Sequence, residues 1–437
     1  MTQSTLGRLW SGYRSVQIVY RLAIAFVVGA LVGLVFGERA TVLQPFGDLF
    51  LRLLGMLVVP LVVATILSGM QRLSPAKLGR IGGFVVLAYA ATTFVAGAIG
   101  LTLANLLNPG VGVTFTGGEA QSAEAPSLAD VLLGIVPENP VTAMAGGDII
   151  SVIFFVVVFG LGLTVARDVT EDDRVAEGID TIFAVTEGAT QALFKAVWGV
   201  MEYGVVGVFA LVAASIGTNG IGGILSLGSL VGVIALAVAI HMSVVYLGVI
   251  TMFFLDRSPL AFLAGAKNAM VTAFSIRSSS GTLPVTMTDA EEYLRIDESV
   301  YGFSLPLGST INMDGAAIRQ GVTAVFAANI LGIQLGLGEQ IVALLTVVLV
   351  SVGTAGVPGA GLIMLTIVLE TLGLPLTVVG FVAAVDPILG RIATMNNVTG
   401  DLAVSALVAK YNDAIDLDGG VWAERTRSVV PSAVTDD

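Results

Sequence analysis

The sequence predicts an all-α integral membrane protein with several spans and an internal polar site, and three observations predict it. Of 437 residues, 55% are hydrophobic and 12% charged, with a mean hydropathy of +0.93. A water-soluble protein could not place that much apolar surface. Six stretches, at about 16–37, 44–70, 82–107, 145–166, 187–216 and 223–255, are apolar over enough residues to cross a bilayer. From about residue 258 the chain stays hydrophobic but is broken by four polar, Gly- and Pro-bearing clusters.

The first 22 residues carry Arg8, Arg14 and Arg21 without an acid, and no small-residue cleavage site follows, so the first span is read as retained. Segment 71–80 holds Arg72, Lys77 and Arg80 without an acid, whereas 108–140 holds Glu119, Glu124, Asp130 and Glu138 without a base. By the positive-inside rule the N-terminus and 71–80 are cytoplasmic and 108–140 is external. Segment 167–180 should then be a cytoplasmic loop, although it is mostly acidic. The absence of cysteine excludes disulfides and thiolate metal sites, and one histidine, His241, argues against an imidazole-ligated centre. A net charge of −12 argues against nucleic-acid partners.

The four clusters are 275–288, 304–315, 351–361 and 386–401. Unwound backbone at membrane depth must be buried in protein or line a wet cavity, because each unsatisfied N–H or C=O costs several kcal/mol. The first and third share a form: an apolar leg, a small-residue tip, then a second apolar leg. Each reads as a re-entrant helical hairpin, followed by a longer apolar segment at about 296–330 and 377–411. A hairpin–helix unit used twice is a common way to build a transport site near the midplane.

Within 386–401, Asp386, Thr394, Asn397 and Asp401 are spaced by 8, 3 and 4, along one helical stripe. Ionisable residues inside a span are functional candidates. The structural alternative is that neighbouring backbone and Arg391 satisfy the carboxylates. Asn312 and Asp314, beside Gly308 and Gly315, join Asp401 and the Thr310 hydroxyl as an oxygen set that suits a hard cation. Ser278, Ser279 and Ser280, next to Arg277, offer hydroxyls and tip N–H groups to a carboxylate. The tip 353–361, with four glycines and one proline, is flexible enough to serve as a gate. His241, in an apolar helix, reads as packed or pore-facing. With Ser279 it also raises an intramembrane serine hydrolase, but no Gly-x-Ser-x-Gly elbow surrounds the serines and the duplicated hairpins would go unexplained.

At RSSSGTLPVT, NMDG, GTAGVPGAG and NNVTGD the sequence resembles the dicarboxylate/amino acid:cation symporter family over nearly its whole length. The resemblance implies eight transmembrane helices plus two re-entrant hairpins, an elevator-type glutamate-transporter fold, a homotrimer, no enzymatic activity and no organic cofactor. It implies scaffold helices 1–2 in 1–81, transport-domain helix 3 and the external loop in 82–143, and scaffold helices 4–5 in 144–222. Transport-domain helix 6 is expected in 223–257, hairpin 1 in 258–295, helix 7 in 296–332, hairpin 2 in 333–375 and helix 8 in 376–412. A cytoplasmic tail in 413–437 leaves both termini on the cytoplasmic side of the plasma membrane, which the chain crosses several times.

The resemblance also implies co-transported Na⁺ at three sites. One uses Gly308, Asn312, Asn397 and Asp401; a second uses Thr310, Ser351, Val352 and Thr354; a third uses Tyr89, Thr92 and Thr93 with Asn312 and Asp314. The substrate pocket it frames is Ser278, Ser279, Met313, Val357, Gly361, Arg391, Thr394 and Asn397. Three positions depart from the amino-acid members. Gly390 stands where an Asp reads the substrate amine, Ala393 where an Arg pairs the distal carboxylate, and Ala316 where a Thr assists it. Losing that carboxylate and that bidentate fork leaves two readings. One is an organic anion without an α-amino group, such as a dicarboxylate, with Arg391 or Arg277 as counter-charge. The other is a neutral amino acid with both arginines structural.

Overall fold

The computed structural model describes residues 18–70, 75–112, 136–352 and 360–423, together with Tyr13, Val16 and Leu133. Among the described residues the secondary structure is helical, apart from one antiparallel bridge between Ile296 and Ile415. Helix α1 (Ile18–Phe36) passes through a 3₁₀ turn (Gly37–Leu43) into α2 (Gln44–Met70), and α3 (Pro75–Leu107) follows. The third helix thus begins at Pro75, inside the 1–81 segment expected for the first two. Next come the short α4 (Pro140–Gly146), α5 (Ile149–Val169) and α6 (Asp173–His241), which continues as wider π-helical turns (Met242–Phe254).

Segment 167–180 is not a loop. Only 170–172 separates α5 from α6, because Asp172 caps α6 by accepting a hydrogen bond from the Arg174 N–H (2.9 Å), and the acids that follow suit a helix N-terminus. The long helix is interrupted at Gly220 (φ 61°, ψ −151°), between the apolar stretches 187–216 and 223–255. Six helical stretches among the described residues are long and apolar enough to cross a membrane, or seven with one bent pair counted as a span. Large apolar side chains such as Val35, Leu87 and Phe253 are more than two-thirds exposed, as a lipid-facing surface requires.

Helix α6 packs on α1, α2 and α5, and α2 also packs on α5. The approach of α1 to α6 is close: a Cβ on Gly29 would lie 2.7 Å from the Phe209 carbonyl, and one on Gly33 2.6 Å from that of Ala213. This is the small-residue packing that membrane helices use where no hydrophobic drive exists between them. Arg21 on α1 is buried against Glu202 on α6, Nη2 to Oε1 at 3.0 Å.

The C-terminal third is a second packed group. Helices α7 (Pro259–Ile276) and α8 (Ser279–Thr288) lie against each other across a two-residue break. Buried Asp289 ties them by accepting from Asn268 Nδ2 (2.9 Å) and the Ala269 N–H (2.7 Å). The segment 296–330 is two helices, α9 (Glu298–Ile311) and α10 (Asp314–Ile330), because Asn312 and Met313 leave helical geometry (ψ 81° and 47°). Helices α11 (Leu337–Val352) and α12 (Ala360–Thr371) also pack together. The segment 377–411 is not one helix either. It bends by 79° between α13 (Thr377–Ala383) and α14 (Asp386–Lys410). Pro387 in the first turn of α14 has no N–H to continue a ladder from α13. Every residue of α10 except Asn329 is buried, packed among α3, α11, α12 and α14, while α14 packs on α7, α9 and the π-helical turns.

Candidate functional site

The break between α9 and α10 brings the C-terminal carbonyls of one half-helix to the N-terminus of the next, and α14 runs alongside. Asn312 Nδ2 donates to Asp401 Oδ1 (2.9 Å), the Gly315 N–H donates to Asn397 Oδ1 (2.7 Å), and Asn397 Nδ2 reaches Met313 Sδ (3.1 Å). The four-residue spacing of Asn397 and Asp401 therefore aims both at the broken segment. The Asp401 carboxylate and the Tyr89 hydroxyl crowd the space a Gly308 side chain would fill. Gly308, Asn312, Asn397 and Asp401 converge.

Asp314 lies one helical face away, with a hydroxyl shell around it. Thr93 Oγ1 and the Tyr246 hydroxyl donate to its two oxygens, each at 2.6 Å, and Thr92 Oγ1 lies 3.4 Å from both Asp314 Oδ1 and Asn312 Oδ1. Tyr89 is buried beside them and donates to the Ser304 carbonyl (3.0 Å). Both Asp314 and Asp401 are at most 2% exposed. Among the described residues neither pairs with lysine or arginine, and the nearest cationisable group is His241 Nε2, 4.0 Å from Asp314 Oδ2. Two buried carboxylates amid amide, hydroxyl and carbonyl oxygens make a strong cation trap, since unpaired charge in a membrane interior is costly.

The structure adds two residues to this cluster. Tyr246 comes from the π-helical turns, where Thr251 Oγ1 bonds the Tyr246 carbonyl five residues back (2.7 Å), a helical irregularity often found at functional sites. His241 packs edge-on against Tyr246 with ring centroids 4.8 Å apart. An aromatic residue in an apolar span carries no sequence signal for such a role.

A second cluster forms where the α7–α8 break meets α10, α12 and α14. Arg277 has a left-handed backbone (φ 58°) at that break, and its Nη2 donates to Asp386 Oδ2 at 2.5 Å. Arg319 from α10 reaches the other oxygen, Nη2 to Oδ1 at 2.6 Å. Arg277 therefore has an acidic partner in Asp386. Arg391 does not satisfy Asp386; its Nη1 donates to the Pro387 carbonyl (2.9 Å). In the sequence Arg319 is a charged residue inside an apolar segment, outside the four polar clusters.

The remaining candidates divide. Ser278 caps α8 by accepting from the Gly281 N–H (3.0 Å), and Ser279 is buried at the same tip. Thr394 Oγ1 donates to the Gly390 carbonyl (2.7 Å). Gly361 accepts at its carbonyl from Gln320 Nε2 (2.8 Å). Thr310 and Ser351 hydroxyls bond the carbonyls of Leu307 (2.9 Å) and Val348 (2.7 Å) on α9 and α11, which touch. Thr354 and Val357 lie outside the described residues, and Val352 is described only as the last backbone position of α11.

The model of the sodium:dicarboxylate symporter family matches residues 18–411. The chain belongs to that family. Among its relatives is a proton/sodium-glutamate symport protein of Bacillus subtilis, 33% identical over 407 residues, 90% of this chain and 92% of the relative. A proton/glutamate-aspartate symporter of Escherichia coli is 31% identical over 430 residues, 94% and 96% of the two chains. A C4-dicarboxylate transport protein of Rhodospirillum rubrum is 30% identical over 414 residues, 92% and 90%. The symporter is thus a multi-pass membrane transport protein for a small solute and not an enzyme, so the hydrolase reading of His241 and Ser279 falls.

Proposed function

We propose that this symporter couples the inward flow of Na⁺ to the uptake of a small organic anion, a C4-dicarboxylate or an acidic amino acid, across the plasma membrane. The observation that carries this is the Asp314–Asp401 pair: two buried carboxylates without a basic partner among the described residues, ringed by amide, hydroxyl and carbonyl oxygens. In this reading one ion takes Gly308, Asn312, Asn397 and Asp401, a second takes Tyr89, Thr92, Thr93, Asn312 and Asp314, and a third takes Thr310, Ser351, Val352 and Thr354. The substrate binds between the α7–α8 and α11–α12 tips. Ser278, Ser279, Met313, Val357, Gly361, Arg391, Thr394 and Asn397 line that pocket. The relatives are named for proton as well as sodium coupling. The donor sets favour Na⁺ here, because they offer converging hydroxyl and amide oxygens that a proton would not need.

The wider architecture in this proposal is eight transmembrane helices with two re-entrant hairpins, α7–α8 and α11–α12, both termini cytoplasmic, assembled as a homotrimer. Helices α1, α2, α5 and the part of α6 up to residue 222 form the scaffold, and α3 with residues 223–257 and α7–α14 is the unit that moves as an elevator. Three Na⁺ entering with a dianion, down a tenfold gradient and about 100 mV, would release about 6.5 kcal/mol, from ~1.4 per ion and ~2.3 for the net charge. Uptake by proteoliposomes with and without a sodium gradient, at fixed pH, tests the reading. Uptake that ignores sodium, or follows only a proton gradient, refutes it.

A further inference from the structure

We infer that Arg319, held beside Arg277 by Asp386, is the side chain that reads the substrate carboxylate, and that this guanidinium pair selects a dicarboxylate without an α-amino group. The inference rests on the reading of the tip region as the substrate pocket. It begins with charge. Arg277, Arg319 and Asp386 are 6%, 3% and 1% exposed, and two guanidiniums on one carboxylate leave one positive charge uncompensated. A buried excess charge is costly unless something pairs with it.

The unmade hydrogen bonds point the same way. A guanidinium presents five N–H donors. The Nε atoms of both arginines and the Ser279 hydroxyl are buried without a hydrogen-bond partner. Buried polar groups in a native protein are nearly always satisfied, so a set of orphaned donors beside an uncompensated cation is what an incoming carboxylate would fill. A planar fork is also the geometry that binds carboxylates bidentately.

Two glycines make room for the pair. A Cβ on Gly390 would lie 2.8 Å from Arg277 Nε and Nη2, and one on Gly361 would run into Arg319 Nη1. The departure at 390 therefore both deletes an acid and creates the space the Arg277 guanidinium occupies. The departure at 393 removes one fork, and Arg319 brings another in from α10. The one acid in this cluster, Asp386, hydrogen-bonds Arg277 through Oδ2 and is ion-paired with Arg319 through Oδ1, which accepts no hydrogen bond, so a substrate ammonium would have to displace a guanidinium to reach a carboxylate. Arg391, spent on its own helix carbonyl, is not part of the reader.

The test uses the full-length protein in proteoliposomes under a sodium gradient, with succinate and aspartate as probes, equal in length and differing in the amine. Wild type should take up succinate with at least tenfold lower KM than aspartate. Arg319→Gln should raise the succinate KM about 100-fold, Arg319→Lys should recover part of that loss, and Gly361→Ala should raise KM with every charge retained. Sodium-induced thermal stabilisation of the substrate-free protein should persist in all three. If Arg319→Gln fails to show it, the other two variants decide. A succinate KM unchanged in Arg319→Gln or in Gly361→Ala, or a larger shift from Arg391→Gln, would overturn the inference. Sodium-independent uptake by wild type would instead refute the proposed coupling, which separates the two failures.

Discussion

Asp401 is buried against Asn312 with no basic side chain paired to it among the described residues, so its charge calls for a cation. Replacing it with Asn removes a charged ligand and should raise the sodium concentration for half-maximal uptake about 10- to 100-fold, the equivalent of ~1.4–2.8 kcal/mol. Uptake measured against a sodium titration checks this. At Gly390 the opposite change is informative. An aspartate there would meet the Arg277 guanidinium, since even its Cβ falls 2.8 Å from Arg277 Nε. It would offset the excess positive charge and supply an acid for an amine, so Gly390→Asp should shift preference from succinate toward aspartate by about tenfold or more, read as the ratio of kcat/KM values.

Breaks in helices place the polar groups, and their stability can be tested separately from transport. Gly220 has a backbone geometry (φ 61°, ψ −151°) that other residues avoid, and a Cβ there would touch nothing within 4 Å. Gly220→Ala should therefore cost about 1–3 kcal/mol through backbone strain alone, seen as a lower melting temperature without a change in sodium affinity. Asp289 is the tie between α7 and α8. Asp289→Ala removes the carboxylate that the half-buried Asn268 amide and the buried Ala269 N–H donate to, which should destabilise the protein by about 1–3 kcal/mol, measured in detergent by the same melt.

For the whole molecule, the proposed elevator predicts which contacts slide and which stay. Leu211 on α6 packs against Gly47 on α2 and also against Gly380 on α13. The first pair lies within the proposed scaffold and the second spans the moving boundary. The sequence contains no cysteine, so introduced pairs react alone. The 211–380 cysteine pair, once oxidised, should abolish uptake and recover on reduction. The 47–211 pair should form its disulfide with uptake retained. Equal inhibition by both would count against a sliding boundary at α13.

The sequence by itself determined the membrane class, most span positions and which oxygen-bearing residues the proposed cation sites draw on. Hydropathy is a local property, and the ligand-bearing motifs are short enough that three- and four-residue spacings place them on one helix face. It did not foresee the early starts of α3 and α6 or the bend before Asp386, because caps and prolines set helix ends over single turns. Only the tertiary structure decided which charges meet. Arg277 and Asp386 are 109 positions apart, and Arg319 lies on a third helix. Charge compensation in a low-dielectric interior depends on distances of a few ångströms that only packing sets. For that reason the carboxylate between the two arginines, and the vacancies at Gly361 and Gly390 that admit them, emerge only from the folded chain.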